Sequence, residues 1–244
     1  MTQQGLIPDQ EKSQIKRTFR KDLKAEVCLR LFTQRPSPIA VPGRECRYCL
    51  QTQQMLEELA ALSPKVHLET VDIYAQPDLA REEGITRVPA IAFGLKWGPN
   101  EGPKGGPRLR YFGIPMGYQM AVVIENIRTI SRGVSPLSMD TRKKLRKINQ
   151  PVHIQVFVTP SSPQCPSVAR LAHALALENH NITADVVELE EFPALGRQYG
   201  VRSVPLTVVN ELIQIAGVVT ESEFVEKIIQ CGVRQQPDSA PVQA

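Results

Sequence analysis

The segment of this 244-residue chain best equipped for chemistry is Cys46-Arg47-Tyr48-Cys49. Two thiols separated by two residues can close a disulfide and pass two electrons by exchange. One thiolate attacks a foreign disulfide, and the second thiol resolves the mixed disulfide that results. An apolar helix is expected to follow, with Leu50, Met55, Leu56, Leu59 and Leu62 on its buried face. Free N–H groups and the helix dipole at that end favour negative charge, lowering a thiol pKa below its ordinary value of about 8.5. Arg44 and Arg47 push the same way, and Glu45 opposes them. Cys46 is therefore the expected nucleophile and Cys49, inside the helix, the resolving thiol, with Tyr48 an amphipathic rim between them. Half of a zinc site and a pair of inert thiols are the competing readings. Zinc needs two further ligands, and His67 stands on an expected strand with no second ligand beside it.

A second segment echoes the first with one change. Cys165-Pro166-Ser167-Val168 also opens an expected helix, and proline suits the first helical turn. Its fourth position is Val168, so it has no resolving thiol and cannot form its own two-cysteine centre. Cys165 is left either as a single thiol able to form a mixed disulfide or as the relic of a site kept for structure or docking. Downstream of each cysteine, at nearly equal distances, Gly84-Ile85-Thr86-Arg87-Val88-Pro89 matches Gly200-Val201-Arg202-Ser203-Val204-Pro205. A bond between a residue and a following proline is a candidate for cis geometry. A cis Pro89 would aim the polar backbone of Val88 at the cysteines, where an extended substrate could pair with it.

The elements needed to position these residues repeat in the same order. The first half reads as helix 9–23, strand 27–32, the dithiol segment and its helix. Strand 66–74, short helix 78–83, a hairpin of 85–93 with 109–112, and helix 117–131 complete it. The second half reads as helix 136–149, with Ser135 as its N-cap and Pro136 at its first position, and strand 152–158. Helix 165–178, strand 184–189 and short helix 193–199 follow. A hairpin of 204–209 with 212–216 turns at Asn210-Glu211, and a last helix, 220–230, is opened by the capping box Thr220-Glu221-Ser222-Glu223. Gly133 punctuates the join, which gives units at residues 1–133 and 134–234 and a disordered tail at 235–244. The short connection implies rigid packing of one unit on the other. The proline-rich stretch 35–45 and the glycine-rich stretch 97–107, headed by Trp97, have no counterpart in the second half and read as surface loops.

Composition narrows the function classes. Hydrophobic residues make up 42% and charged residues 22%, enough apolar material for a packed core. A net charge of +4, with a basic run Arg142-Lys143-Lys144-Leu145-Arg146-Lys147 that lacks interleaved aromatics, reads as a solvated helix face rather than a nucleic-acid surface. No stretch nears the roughly 18 apolar residues that span a bilayer, and the N-terminus does not look like a secretion signal, so a cytoplasmic protein is expected. Five scattered cysteines are no secreted disulfide framework; in a reducing compartment a close pair points to redox or metal chemistry. The four histidines show no metal spacing, and no glycine motif for flavin or nicotinamide phosphates is present, so no cofactor is expected. Cys28, on a strand, and Cys231, at a helix C-terminus, read as structural.

From about Asp9 to Arg234 the chain resembles the glutaredoxin-like protein disulfide oxidoreductases of thermophilic archaea and bacteria. The resemblance rests on Cys46-Arg47-Tyr48-Cys49 and on the paired Val88-Pro89 and Val204-Pro205. It implies an α/β fold of two tandem thioredoxin-like (glutaredoxin-like) units, each a four-stranded mixed central sheet flanked by helices. It also implies dithiol–disulfide exchange on protein disulfides, with Tyr48, Val88, Pro89, Val204 and Pro205 contacting substrate and a separate thioredoxin-reductase-like protein supplying electrons. Members usually carry a second complete cysteine pair, from which this chain departs at Val168. The N-terminal domain of the bacterial alkyl hydroperoxide reductase flavoprotein is similar in pairing one complete and one incomplete unit, although there the second is complete. A non-catalytic tandem adaptor or redox sensor is the alternative function.

Overall fold

Apolar runs with strand periodicity form the centre of the molecule. The computed structural model describes residues 5–35, 46–95 and 106–232. In the first half, β1 (Val27–Thr33) is buried at every position. It pairs in parallel with β2 (Val66–Asp72) and antiparallel with β3 (Ala90–Leu95), which pairs antiparallel with β4 (Leu109–Phe112). The second half repeats the pattern. There β5 (Val152–Val158) pairs in parallel with β6 (Ile182–Glu188) and antiparallel with β7 (Leu206–Val209), which pairs with β8 (Ile213–Ala216). The turn between β7 and β8 spans three residues, with Leu212 N–H donating to Val209 O at 3.0 Å and Asn210 and Glu211 at positive φ, 48° and 61°, as the tight turns of hairpins demand. Each half thus supplies four mixed strands.

The halves do not merely abut. β4 and β6 pair in parallel, from Leu109↔Ala184 to Phe112↔Val187, and make one eight-stranded sheet in the order β2-β1-β3-β4-β6-β5-β7-β8. Because β1, β4, β5 and β6 all run the same way, their C-terminal ends share one edge of the sheet.

Helices cover both faces. One face carries α1 (Asp9–Asp22), α2 (Cys49–Ala60), α4 (Met120–Arg132), α5 (Met139–Leu145), α6 (Cys165–Glu178) and α8 (Glu221–Gly232), around a core that includes Phe19, Leu29, Leu56, Tyr111, Val156 and Phe224. The other carries the short α3 (Pro77–Glu82) and α7 (Pro193–Gln198), over Phe32, Ala92, Phe112, Phe157 and Val208. α8 opens with its expected capping box: Thr220 N–H donates to Glu223 Oε2 at 2.9 Å and Glu223 N–H to Thr220 Oγ1 at 3.3 Å. No helix among the described residues is long and apolar enough to cross a membrane.

Four expectations need correction. α5 begins at Met139 rather than Pro136, because Ser138, not Ser135, caps it. Ser138 Oγ accepts Thr141 N–H, and its own N–H is tied to Glu221 Oε1 on α8 at 3.0 Å. Residues 85–89 and 204–205 are not strand. A proline has no N–H for a ladder, so β3 and β7 start just after Pro89 and Pro205. Helix 117–131 opens as a 3-10 turn, Gly117–Gln119, and becomes α-helical only at Met120. Leu50 is 63% exposed: the buried face of α2 is Cys49, Thr52, Met55, Leu56 and Leu59, and Leu50 lies roughly 150° from its centre. The two excess loops and the tail lie mainly or wholly outside the described residues, as do Arg44, Glu45 and Trp97.

Candidate active site

Cys46 and Cys49 are joined in a disulfide, with Cα atoms 5.5 Å apart. Their surroundings differ. Cys49 is the first residue of α2 and only 2% exposed, whereas Cys46 stands before the helix and is partly exposed. Tyr48 is the N-cap: its carbonyl accepts Thr52 N–H at 2.8 Å, and its side chain caps nothing. The first turn of α2 carries no acidic residue, so nothing there offsets the positive end of the dipole. Exposed Arg47 lies over the Tyr48 ring, 5.1 Å from its centroid. Of the two cysteines, Cys46 is the more exposed residue.

Val88–Pro89 and Val204–Pro205 are both cis. Pro89 precedes Ala90, which pairs with Phe32 near the C-terminal end of β1, where the chain leaves toward Cys46. Pro205 precedes Leu206, which pairs with Phe157 at the matching end of β5. The next strand holds each in the same way: Gly113 N–H donates to Pro89 O and Gly217 N–H to Pro205 O, both at 2.8 Å. β1 and β5 are four strand spacings apart, roughly 19 Å, so Cys46, Cys49, Tyr48, Val88 and Pro89 gather at one point of the edge and Cys165, Val204 and Pro205 at another. The two halves also meet through loops: Tyr118 N–H, in the 3-10 turn before α4, donates to Pro160 O on the loop leading to Cys165.

The second point is closed. Cys165 is 0% exposed, Val168 is 2% exposed, and both belong to the core. Ser167 Oγ donates to Gln164 O at 2.7 Å, a helix-start bond. Around the buried Tyr111 hydroxyl stand Glu188, Glu191 and Cys165. Burial, then these carboxylates and Cys165, push the Tyr111 hydroxyl far above its ordinary range. Burial and the neighbouring Glu188 drive the Glu191 carboxyl up to about 7 against the opposing pull of Ile114 N–H, which donates to it. Cys28 is buried in β1. At Cys231, partly buried near the end of α8, burial pushes the thiol up. Among the described residues no three His, Cys, Asp or Glu side chains gather as a metal site; His67 lies 3.2 Å from Glu26.

A buried charge network at the seam lay outside the sequence reading. Arg110 on β4 grips Asp185 on β6 with Nε–Oδ1 2.6 Å and Nη2–Oδ2 2.9 Å, and His153 Nε2 meets the same carboxylate at 2.7 Å. Burial acts upward on Asp185, but His153 and Arg110 outweigh it and hold the carboxyl below its usual range. An acid inside the apolar run Ala184-Asp185-Val186-Val187 was the available signal.

The fold and this site define a thioredoxin-fold protein with a redox-active disulfide. A thioredoxin domain model matches residues 152–230. A thioredoxin of Methanocaldococcus jannaschii is 30% identical over 78 residues, 32% of this chain and 92% of that protein. The chain belongs to the thioredoxin family. A protein disulfide oxidoreductase from Aeropyrum pernix superposes with a TM-score of 0.80 at 26% identity, over 92% of this chain and 93% of that one. An N-terminal domain of alkylhydroperoxide reductase AhpF from Enterococcus faecalis gives a TM-score of 0.77 at 22% identity, over 91% and 99%. A Bacillus subtilis NADH dehydrogenase is 20% identical over 71% of this chain, which spans 30% of that enzyme's length. The domain model thus falls on the half with the incomplete site, whereas the solved structures cover both halves. These relatives support thiol–disulfide exchange as the kind of reaction.

Proposed function

We propose that the protein exchanges disulfides with protein substrates through Cys46 and Cys49. In the reductive direction the Cys46 thiolate attacks one substrate sulfur, the substrate S–S bond breaks, and its other sulfur leaves as a thiolate. Cys49, deprotonated in turn, attacks Cys46 and releases the second substrate thiol. Two electrons have then passed to substrate, and the Cys46–Cys49 bridge remains. A separate dithiol reductase returns them. The observation that carries this reading is the asymmetry of the bridge, one cysteine partly exposed before the helix and its partner buried in the first turn of α2.

Val88 would offer its backbone to an extended substrate segment beside cis Pro89, and Tyr48 would flank it; Val204 and Pro205 would offer a second docking edge. The reading divides the chain at Gly133 into a catalytic unit, 1–133, and a supporting unit, 134–234, working in a reducing cytoplasm. The Aeropyrum pernix likeness supports a protein disulfide as substrate, and the alkylhydroperoxide reductase likeness supports a place in a chain of redox proteins. Insulin reduction with dithiothreitol tests this. A catalysed rate that disappears in Cys46→Ser is the expected result; no rate above background moves the protein to the adaptor or sensor class. The redox potential of the pair sets the direction: about −270 mV marks a reductase, about −180 mV an oxidase or isomerase.

A further inference from the structure

The segment that leads into cis Pro89 is fastened by residues of the other half. Arg87, two residues before that proline and partly buried, lays its guanidinium over two rings. It lies 5.3 Å from the centroid of Phe112 on β4 and 5.8 Å from that of Phe192, the residue that opens α7. Phe112 belongs to the first half and Phe192 to the second. Burial pulls the Arg87 guanidinium below its ordinary value, opposed by Asp185 and Tyr199, both of the second half. The start of the same segment is held as well. Arg110, gripped by Asp185 across the seam, donates from Nη1 to Glu83 O at 3.0 Å and to Gly84 O at 3.3 Å. The segment 83–87 is thus tied to the second half at both ends, through Arg110 to Asp185 and through Arg87 to Phe192.

The internal repeat shows that this assembly is not a requirement of the fold. Matching the two cis prolines aligns Arg87 with Ser203. Matching the strand registers aligns Phe112, opposite Ala90, with Ala216, opposite Leu206. The residues before the first prolines of α3 and α7 align Gln76 with Phe192. The loop before Pro205 therefore has neither the arginine nor the rings. They occur where the cysteine pair is complete. A guanidinium is drawn to the face of a ring, and two rings from different elements restrict where it can sit. Val88 precedes β3 and has no ladder bond of that strand to hold it, so its position depends on such side-chain anchors.

We propose that Arg87 is a positioning residue: held by Phe112 and Phe192, it fixes the backbone of Val88 and so the edge offered to a substrate segment beside cis Pro89. This rests on the proposed function and deepens it, because it gives the second half a part in the reaction of the first. An extended polypeptide uses both the Cys46 sulfur and the Val88 edge. A small disulfide uses the sulfur alone and is indifferent to the anchor. Arg87 acts through Val88 and takes no part in the exchange itself. Its loss weakens polypeptide binding and leaves the chemistry of Cys46 and Cys49 as it was.

The test compares full chains carrying Phe192→Leu, Arg87→Met or Arg87→Lys with the wild type on two substrates, insulin and 2-hydroxyethyl disulfide. Phe192→Leu and Arg87→Met should each raise KM for insulin about fivefold with kcat unchanged, the scale of one lost cation–π contact. Arg87→Lys keeps a cation over the rings and should fall between them and the wild type. The rate with 2-hydroxyethyl disulfide should stay the same in all three, and amide hydrogen exchange at Val88 should quicken in the first two. An unchanged KM, or unchanged Val88 exchange, in both Phe192→Leu and Arg87→Met overturns the anchor and leaves the redox reading standing. A KM raised by Arg87→Met alone overturns the part given to the second half. Rates that fall together for insulin and the small disulfide mean a general loss of the site and overturn the positioning role. No insulin reduction by the wild type overturns the redox reading itself.

Discussion

The two halves of this molecule begin from the same plan and end with one open site and one closed one. In the first, Cys46 lies outside the helix, partly exposed, and Cys49 is the first helical residue. In the second, Cys165 is itself the first helical residue and is sealed in the core. Position in the sheet accounts for the difference. β2 is an edge strand with mixed exposure, and α2 packs over β1 and β2 on the outer side of the sheet. β6 is interior, buried at six of its seven positions, because β4 pairs with it; α6 packs over β5 and β6 and against α4, across the seam. The dimer-like join of the two sheets walls in the second site.

The same contrast appears in matched charges. Arg30 on β1 pairs with Glu69 on the edge strand at 2.8 Å and with Glu83. The equivalent register positions on β5 and β6 are Gln155 and Asp185. There the acid turns to Arg110 from the other half. An ion pair that is local in the first unit has become the bond between units.

The largest expected effect separates the two cysteine sites directly. Cys46→Ser should drop insulin reduction to the uncatalysed background, because no other described thiol combines exposure with a partner. Cys165→Ala should keep the rate while lowering stability by about 1–2 kcal/mol in urea titration, the cost of trimming a packed core atom. A rate lost in Cys165→Ala would show that the closed site takes part in turnover.

Next in size is the seam. Asp185→Asn leaves the Arg110 guanidinium buried without its counter-charge, and breaking a buried pair in this way costs about 3–5 kcal/mol. Equilibrium unfolding measures it; a loss under about 1 kcal/mol would mean that the neighbouring carbonyls of Glu83 and Gly84, which also accept from Arg110, suffice.

A smaller effect sharpens the comparison of the sites. Val168→Cys restores the missing thiol, but the bridge it permits should be opened by dithiothreitol roughly tenfold or more slowly than Cys46–Cys49, because attack on a buried sulfur is slow. Quenched thiol counting follows both. Equal rates would place the cause in the sequence of the motif rather than in its burial.

The smallest effect is a pH slope. Glu191 has its carboxyl raised to about 7 against an ordinary 4.5, so between those values the folded chain holds a proton that the unfolded chain has released. Stability from this group is present below pH 4.5 and declines as pH rises to about 7. Glu191→Gln should remove that decline. His173, which burial holds at about 4, acts in the opposite sense between 4 and its ordinary 6.5, so the difference between the wild-type and variant curves isolates Glu191.

Local chemistry was legible in the sequence. The spacing of Cys46 and Cys49 permits a bridge wherever the segment lies, the prolines interrupt the ladders where they stand, and strand periodicity yields two four-stranded halves. Capping was legible for α8, where Thr220 and Glu223 answer each other, and ambiguous for α5, where two serines compete and a long-range bond from Glu221 favours the second. Leu50 was misplaced although its phase was legible: at about 100° per residue it stands on the side of the helix opposite Met55, Leu56 and Leu59.

The sequence by itself determined that one centre is complete and the other lacks its second thiol: Val168 settles that without any coordinates. The tertiary structure decided the rest. Whether Cys165 meets solvent depends on β4 pairing with β6 and α4 packing on α6, contacts between residues far apart in the chain that leave no periodic trace. Arg87 likewise meets one ring from its own half and one, Phe192, from the other, and no local pattern links them. Burial and enclosure are properties of neighbours in space, and those neighbours are fixed only when the two halves close into one sheet.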